Sequence, residues 1–249
     1  MKVELVSMTE NPESVVTLAA KACYAKGMLR DVVWQDESGC VIRKCRDSGH
    51  LSVFEHASFT FAIEGVSRSL SHQLVRHRLA SYSQKSQRYV NEAGFTYVTP
   101  GSISKDEELS ANYNMLMDNI GRCYKWLIDS GVPQEDARYI LPNACTTQLV
   151  MTMNARELLH FFRLRCCNRA QWEIRELANK MLELCRKVAP VLFEKAGAPC
   201  EYGECPEEEP CGKSIPKKYE PLAQILKDNP KLLANVKTAL ERMDKDGGK

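Results

Sequence analysis

The sequence predicts an α+β protein: a single domain in which a mainly antiparallel β-sheet packs against helices, followed by a short C-terminal helical extension. Three observations point there. In Ala57–Glu64 apolar and polar residues alternate, with Phe59, Phe61 and Ile63 on one side and Ser58, Thr60 and Ala62 on the other. Several longer runs instead repeat apolar residues every third and fourth position and open with capping sequences. Near Ala196 the composition turns to Gly, Pro, Cys and a Glu207–Glu209 run, which reads as a linker. The expected domain is 1–198 and the extension 199–249.

Taken in order, Lys2–Ser7 alternates as a strand, with Val3 and Leu5 on one side. Pro12 opens a helix through Val15, Val16, Leu18, Ala19, Ala22 and Cys23, because a first-turn Pro lacks only an N–H that had no partner. Cys40–Arg46 reads as a short helix, and Gly49 suits its stop. His50, Ser52, Glu55 and His56 fall in a loop before the Ala57–Glu64 strand. Ser67–Arg78 reads as a helix with Val66, Leu70 and Leu74 toward the core and Arg68, His72 and Arg76 on the far side. Leu79–Gln87 reads as a loop, and Tyr89–Val98 as a second strand, with Phe95 and Tyr97 alternating.

Ser104 and Glu107 form a capping box before a helix with Leu109, Tyr113, Leu116, Ile120, Cys123 and Leu127 in register. A short helix after Pro133 carries Arg138. Asn154 and Glu157 cap a helix over Ala155–Arg165, and Asn168 and Gln171 precede another that packs Ile174, Leu177, Met181, Cys185 and Val188. Leu222–Leu226 and Leu232–Met243 read as short helices of the extension.

Charge is nearly balanced, 34 Lys+Arg against 32 Asp+Glu, so bulk attraction to nucleic acid or membrane is not expected. No apolar run approaches the roughly 20 residues that span a bilayer. Met1–Ser7 does not resemble a secretory signal, and eleven Cys then read as reduced thiols in a cytoplasm. Cys145, Cys166 and Cys167 read as packing residues, while Cys200, Cys205 and Cys211 lack zinc-ribbon spacing; no metal site is expected.

The chemistry is local. From Gly65 to Asn91 there is no Asp or Glu, yet Arg76, His77, Arg78, Lys85 and Arg88 crowd together with Ser81, Ser83 and Ser86. Guanidinium forks and short hydroxyls suit phosphate oxygens. A phosphate-bearing ligand is therefore the first expectation. There is no Gly-x-Gly-x-x-Gly and no Walker loop, so side chains have to hold it. A nucleic-acid surface using Tyr82 and Tyr89 for stacking is the competing class, and near-neutral charge counts against it. A flavin enzyme acting on another nucleotide is a second alternative.

Arg76-His77-Arg78, Ser81, Ser86 and Arg88 at these spacings resemble the signature of the flavin-dependent thymidylate synthases. Further patches resemble that family in the same order: His50-x-x-x-Phe54-Glu55-His56, Ser58–Phe61, Gly131-Val132-Pro133 leading to Arg138, Asn154-Ala155-Arg156, and Arg165 leading to Ala170–Glu173. The resemblance runs from about Met1 to Ala198; no role is assigned beyond Cys200. It implies conversion of dUMP to dTMP with methylenetetrahydrofolate as one-carbon donor, FAD as cofactor and hydride donor, and NADPH to reduce the flavin.

It also implies roles. Ser52, Arg76, His77, Arg78, Gln84, Asn154, Ala155, Arg156, His160 and His50 match flavin positions. Gln73, Leu74, Val75, Arg76, Gln84, Lys85, Ser86, Gln87, Arg88, Arg138 and Arg165 match nucleotide positions. Arg165 matches the residue that polarises the uracil ring, a role a fixed guanidinium can fill; by residue type alone it would pair with Glu173. Many members carry Asn-Glu where this chain has Ser83-Gln84, which removes a carboxylate base at position 84. A homotetramer with shared active sites is implied, and neither a membrane nor a nucleic-acid partner.

Overall fold

The computed structural model describes residues 1–33, 36 and 38–212. They fall into two compact units, Met1–Gly197 and a second that begins at Ala198. The short helices expected over Leu222–Leu226 and Leu232–Met243 lie outside the described residues.

The first unit is a four-stranded antiparallel sheet packed against helices, as the sequence predicts. In chain order it holds β1 (Lys2–Met8), α1 (Pro12–Ala22), α2 (Cys40–Asp47), β2 (Ser58–Ser67), α3 (Arg68–Leu74), β3 (Ala80–Gln84), α4 (Gly101–Ser104), α5 (Glu107–Asp129), α6 (Gln134–Ala137), β4 (Thr146–Asn154), α7 (Ala155–Arg165) and α8 (Trp172–Val188). The strand order is β1-β2-β4-β3.

β4 is central, yet its sequence was not read as a strand. Thr147, Leu149, Met151 and Met153 do alternate, and all four are buried. Polar Thr147 on the buried side and apolar Val150 on the exposed side blur the period. β3 corrects a second expectation: Ala80–Gln84 is not loop but an edge strand, with Ala80 opposite Met153 and Gln84 opposite Leu149. Its Ser-rich sequence lacks an apolar face because one of its faces is open. Tyr89–Val98 is not a strand. It is a loop that touches the sheet by one bridge, Tyr97 to Cys145.

Predicted β2 is present and longer, reaching Ser67 through a bulge at Gly65. That glycine has φ +67°, which a Cβ would strain. The inward side chains Phe59, Phe61 and Ile63 are fully buried with Met151, Phe161 and Phe162. Phe193 packs edge-on against Phe59 (5.3 Å) and Phe162 (5.9 Å).

The helices match the sequence with three corrections. α3 ends at Leu74, so Arg76–Arg78 lie beyond it rather than in its last turn. The N-cap of α5 is Asp106, which accepts from Leu109 N, and not Ser104. The deeply buried residues of α5 are Met117 and Tyr124, whereas Leu109 and Leu116 are half-exposed. Asn154 caps α7 as predicted, accepting from Glu157 N at 2.9 Å. Gln171 caps α8 through Glu173 N and Ile174 N. Gly49, at φ +75°, ends α2 with His50 N donating to Cys45 O and its own N–H to Arg46 O, a Schellman closure.

Glu173 ties the helical layer to the sheet. Its buried carboxylate accepts from Ser67 N (2.7 Å) and Ser67 Oγ (2.5 Å), while that hydroxyl also caps α3 through Leu70 N. Glu173 is therefore not available to pair with Arg165. Glu173→Ala strands a buried N–H and a hydroxyl, and should cost about 3 kcal/mol. The check is a lower urea midpoint at fixed protein concentration; an unmoved midpoint would mean that Ser67 finds another acceptor.

Candidate active site

The pairing of β2 with β4 places Ser58 opposite Asn154, and β3 with β4 places Ala80 opposite Met153. One end of the sheet thus gathers the start of β2, the end of β4, the start of β3 and everything attached to them. Attached are the 3₁₀ segment Leu51–His56, the turn Val75–Leu79 and the first turns of α7. Most of the predicted flavin set meets here: His50 and Ser52 on or beside the 3₁₀ segment, Arg76, His77 and Arg78 on the turn, and Asn154, Ala155, Arg156 and His160 on β4–α7.

These residues differ in what they can offer. Arg76 and Arg78 are exposed, and no carboxylate of the described residues pairs with either. Arg156 is exposed and pairs with Glu55. His50, Ser52 and His160 are exposed. Ala155 is buried, its N–H donating to Ala57 O at 2.7 Å. Leu74 is wholly buried, so its side chain faces the core and not a ligand.

His77 is the buried member. Its side chain is 5% exposed, held between Glu157 (Nδ1 to Oε1, 3.2 Å) and Arg165, whose Nε donates to Nε2 at 3.1 Å. Phe161 stands edge-on at 5.0 Å and His160 lies 6.0 Å away. Burial, then the Arg165 charge, push its pKa below 6.5, against the pull of Glu157. Burial also lowers the pKa of Arg165. Among the described residues Arg165 makes no other hydrogen bond, so its two terminal amino groups stay open to a ligand.

The second half of the basic stretch lies elsewhere. β3 runs five residues, roughly 14 Å, and delivers Gln84–Arg88 to the opposite end of the sheet. There Lys85 N donates to Gln148 O, and Lys85 Nζ pairs with buried Glu92 at 2.8 Å. Gln84 Nε2 donates to Thr147 Oγ1, and Gln87 Nε2 lies 3.7 Å from the Cys145 sulfur. Arg88 forks onto Glu135 (3.1 and 2.9 Å), and Arg138 donates to the Glu135 backbone. Ser86 Oγ accepts from Arg88 N. Cys145 is an inert thiol, pushed up to about 11 by burial.

Two expectations change here. The basic stretch is not one cradle but two clusters, one at each end of β3. The carboxylates missing from its sequence are also supplied by the fold: Glu157, Glu92 and Glu135 meet His77, Lys85 and Arg88. Glu157 is the residue that sequence reading passed over. It was seen only as part of a capping box, although an acid four residues before Phe161 and eight before Arg165 shares their helix face.

Two cationic clusters on an antiparallel sheet, one holding a guanidinium on a buried imidazole, give this α+β protein groups that suit anionic ligands. The comparisons carry this further. The family model described as thymidylate synthase complementing protein matches residues 4–191, and the chain belongs to that family. A flavin-dependent thymidylate synthase of Geobacter sulfurreducens is 52% identical over 86% of this chain and 95% of its own length. Those of Clostridium tetani (46%, 88% and 96%) and Pyrococcus furiosus (43%, 90% and 98%) are similar. Such coverage runs past Ala198, so the resemblance does not stop there as the sequence patches implied. Among the described residues no helix is long and apolar enough to cross a membrane.

Keeping His77 neutral links stability to pH. Between its lowered folded pKa and 6.5 the unfolded chain binds more protons than the folded one. The contribution is complete above 6.5 and is lost as pH falls through the folded value. The thermal midpoint of the wild type should therefore fall more steeply below 6.5 than that of His77→Gln. Parallel curves would mean that the ring titrates freely.

Proposed function

We propose that this chain is an FAD-dependent thymidylate synthase that converts dUMP to dTMP, taking its one-carbon unit from methylenetetrahydrofolate and reducing equivalents from NADPH. The observation that supports this most is similarity at 43–52% identity to proteins of that name along almost their whole length. The residues present fit the cofactor: Arg76 and Arg78 are two exposed guanidiniums without carboxylates, and a diphosphate supplies the missing charge. Ser52, His50, Asn154, Arg156 and His160 surround them on the same end of the sheet.

When bound, the reduced flavin supplies the hydride that completes the methyl group. The chain's residues bind and polarise. Arg165 turns its open amino groups toward the uracil carbonyl edge and stabilises charge that develops there. Arg88, Ser86, Gln84 and Arg138 hold the nucleotide, its phosphate displacing Glu135 from Arg88. Gln84 hydrogen-bonds and cannot serve as a base. Ser86 likewise donates a hydrogen bond; hydride delivery leaves no need for an enzyme nucleophile.

One subunit does not close this site. The Arg76 and Arg88 clusters stand at opposite ends of a strand, and both open outward. Val75, Leu79, Leu109, Leu116 and Trp126 leave apolar surface exposed around them and along α5. These features support a homotetramer in which the Arg88 cluster of one copy meets the Arg165 cluster of another. The expected setting is the cytoplasm, where dUMP, folate and NADPH are met.

Arg165→Ala should abolish dTMP formation while the purified protein keeps its flavin absorbance. Arg88→Ala should weaken dUMP binding and flatten its dependence on salt. Co-expression of the two variants should restore activity at low dUMP, because some sites then combine two intact halves. No recovery, with mixed oligomers present, would place both residues in a site built by one subunit.

A further inference from the structure

We propose that Glu157 is a positioning residue: by fixing the tautomer of His77 it aims the Arg165 guanidinium. The inference rests on the assignment of Arg165 to the pyrimidine made above. Family resemblance places His77 among the flavin contacts, but the structure leaves it nothing to offer a ligand directly. Its Nδ1 meets Glu157, its Nε2 meets Arg165, its N–H donates to Leu74 O, and its carbonyl accepts from Tyr82 Oη at 2.8 Å. Every polar atom of His77 is engaged within the chain, so what it does is done through a neighbour.

The tautomer follows from the partners. A guanidinium has donors only, so Nε2 has to be the bare, accepting nitrogen. The proton then sits on Nδ1 and is donated to the Glu157 carboxylate. The other neutral tautomer and the imidazolium would each set an N–H against the Arg165 N–H. Glu157, Phe161 and Arg165 lie at i, i+4 and i+8 on α7, one stripe of the helix. The imidazole lies along this stripe, gripped by the first and last members and walled by Phe161. Tyr82 anchors the turn from β3 by donating to both Leu74 O and His77 O.

The consequence is orientation. With Nε bound to a fixed ring, the plane of the guanidinium is set and its two amino groups project together. Without the carboxylate, the proton is free to move to Nε2 and Arg165 loses its hold. Glu157→Leu should therefore lower kcat on the order of 100-fold, the penalty of a catalytic group displaced by about an ångström, with a much smaller change in KM for dUMP. Glu157→Gln keeps an acceptor for Nδ1–H and should restore most of kcat.

The test begins with the FAD-loaded wild type, labelled with ¹⁵N at its five histidines and read by long-range ¹H–¹⁵N correlation. His77 is expected as the Nδ1–H tautomer, changing to Nε2–H in Glu157→Leu. An Nε2–H signal in the wild type overturns the proposal, and so does equal kcat in the Leu and Gln variants. If the Leu variant does not fold, the acid limb of kcat decides. The groups facing His77 are Glu157, His160 and Arg165 from α7 and Tyr82 from β3. Of these Glu157 alone favours the imidazolium, so Glu157→Gln should move the limb to lower pH; an unmoved limb overturns the proposal. The tautomer is read without substrate. A protein that shows Nδ1–H yet makes no dTMP would therefore sink the proposed function and leave only the tautomer of His77 standing, whereas an Nε2–H signal in a protein that makes dTMP would sink this inference alone.

Discussion

Antiparallel pairing of β2 with β4 is the constraint on which the site depends. It joins segments about ninety residues apart, from Ser58 with Asn154 to Ser67 with Thr146. Because β4 runs without a break into α7, the register that buries Phe59, Phe61, Met151 and Met153 also fixes where Arg156, Glu157 and His160 begin. A slip of one residue would turn the apolar side chains outward. It would also carry α7 away from the His77 turn. Core burial and site geometry are therefore set by the same hydrogen bonds, and the hydrophobic gain from one enforces the other.

Electrostatics adds a second level. The site concentrates cations, and a fold that only concentrated them would repel itself. The structure relieves this selectively. Glu92, Glu135 and Glu55 neutralise Lys85, Arg88 and Arg156, and Glu157 accepts from the neutral His77; Glu157 and Glu92 are buried, Glu135 and Glu55 exposed. Buried pairs hold position because separating them leaves a charge in a poor dielectric. Exposed pairs exchange readily with another anion. Glu157 and Glu92 thus behave as framework, whereas the exposed pairs of Glu135 with Arg88 and Glu55 with Arg156 are the more easily exchanged. Arg76 and Arg78 have no such placeholder among the described residues and are the readiest anion sites.

How far the sequence disclosed this depends on range. Local signals were legible: the β2 alternation, the Asn154 cap, the Gly49 stop, the apolar face of α8. So was the basic stretch, because cations without acids are unusual in a balanced chain. What could not be read was tertiary. β3 lacks an apolar stripe since it is an edge strand with one open face, and its Ser residues resemble a loop. β4 blurs its alternation by placing Thr147 inward and Val150 outward. The acids that answer the basic stretch come from positions up to eighty residues away, and only folding brings them there. Arg165 shows the cost most plainly: sequence proximity suggests Glu173, but Ser67 claims that carboxylate and His77 claims the guanidinium.

Splitting the basic stretch across β3 has a further physical meaning. A strand paired along its whole length is stiff, so the two clusters keep a fixed separation in every copy of the chain. Flexible side chains can close a few ångströms, not the length of five extended residues. The spacing of the two clusters is therefore a fixed feature of the fold that side-chain rotation does not remove. In the proposed assembly each chain contributes two half-sites, and association of copies is then part of the chemistry rather than an addition to it. The same stiffness gives the buried Glu157–His77–Arg165 chain its value. In the proposed assembly, where half of a site arrives on another subunit, the half assigned to the ring has to be rigid before it arrives, and a guanidinium fixed at one nitrogen by a buried imidazole satisfies that requirement.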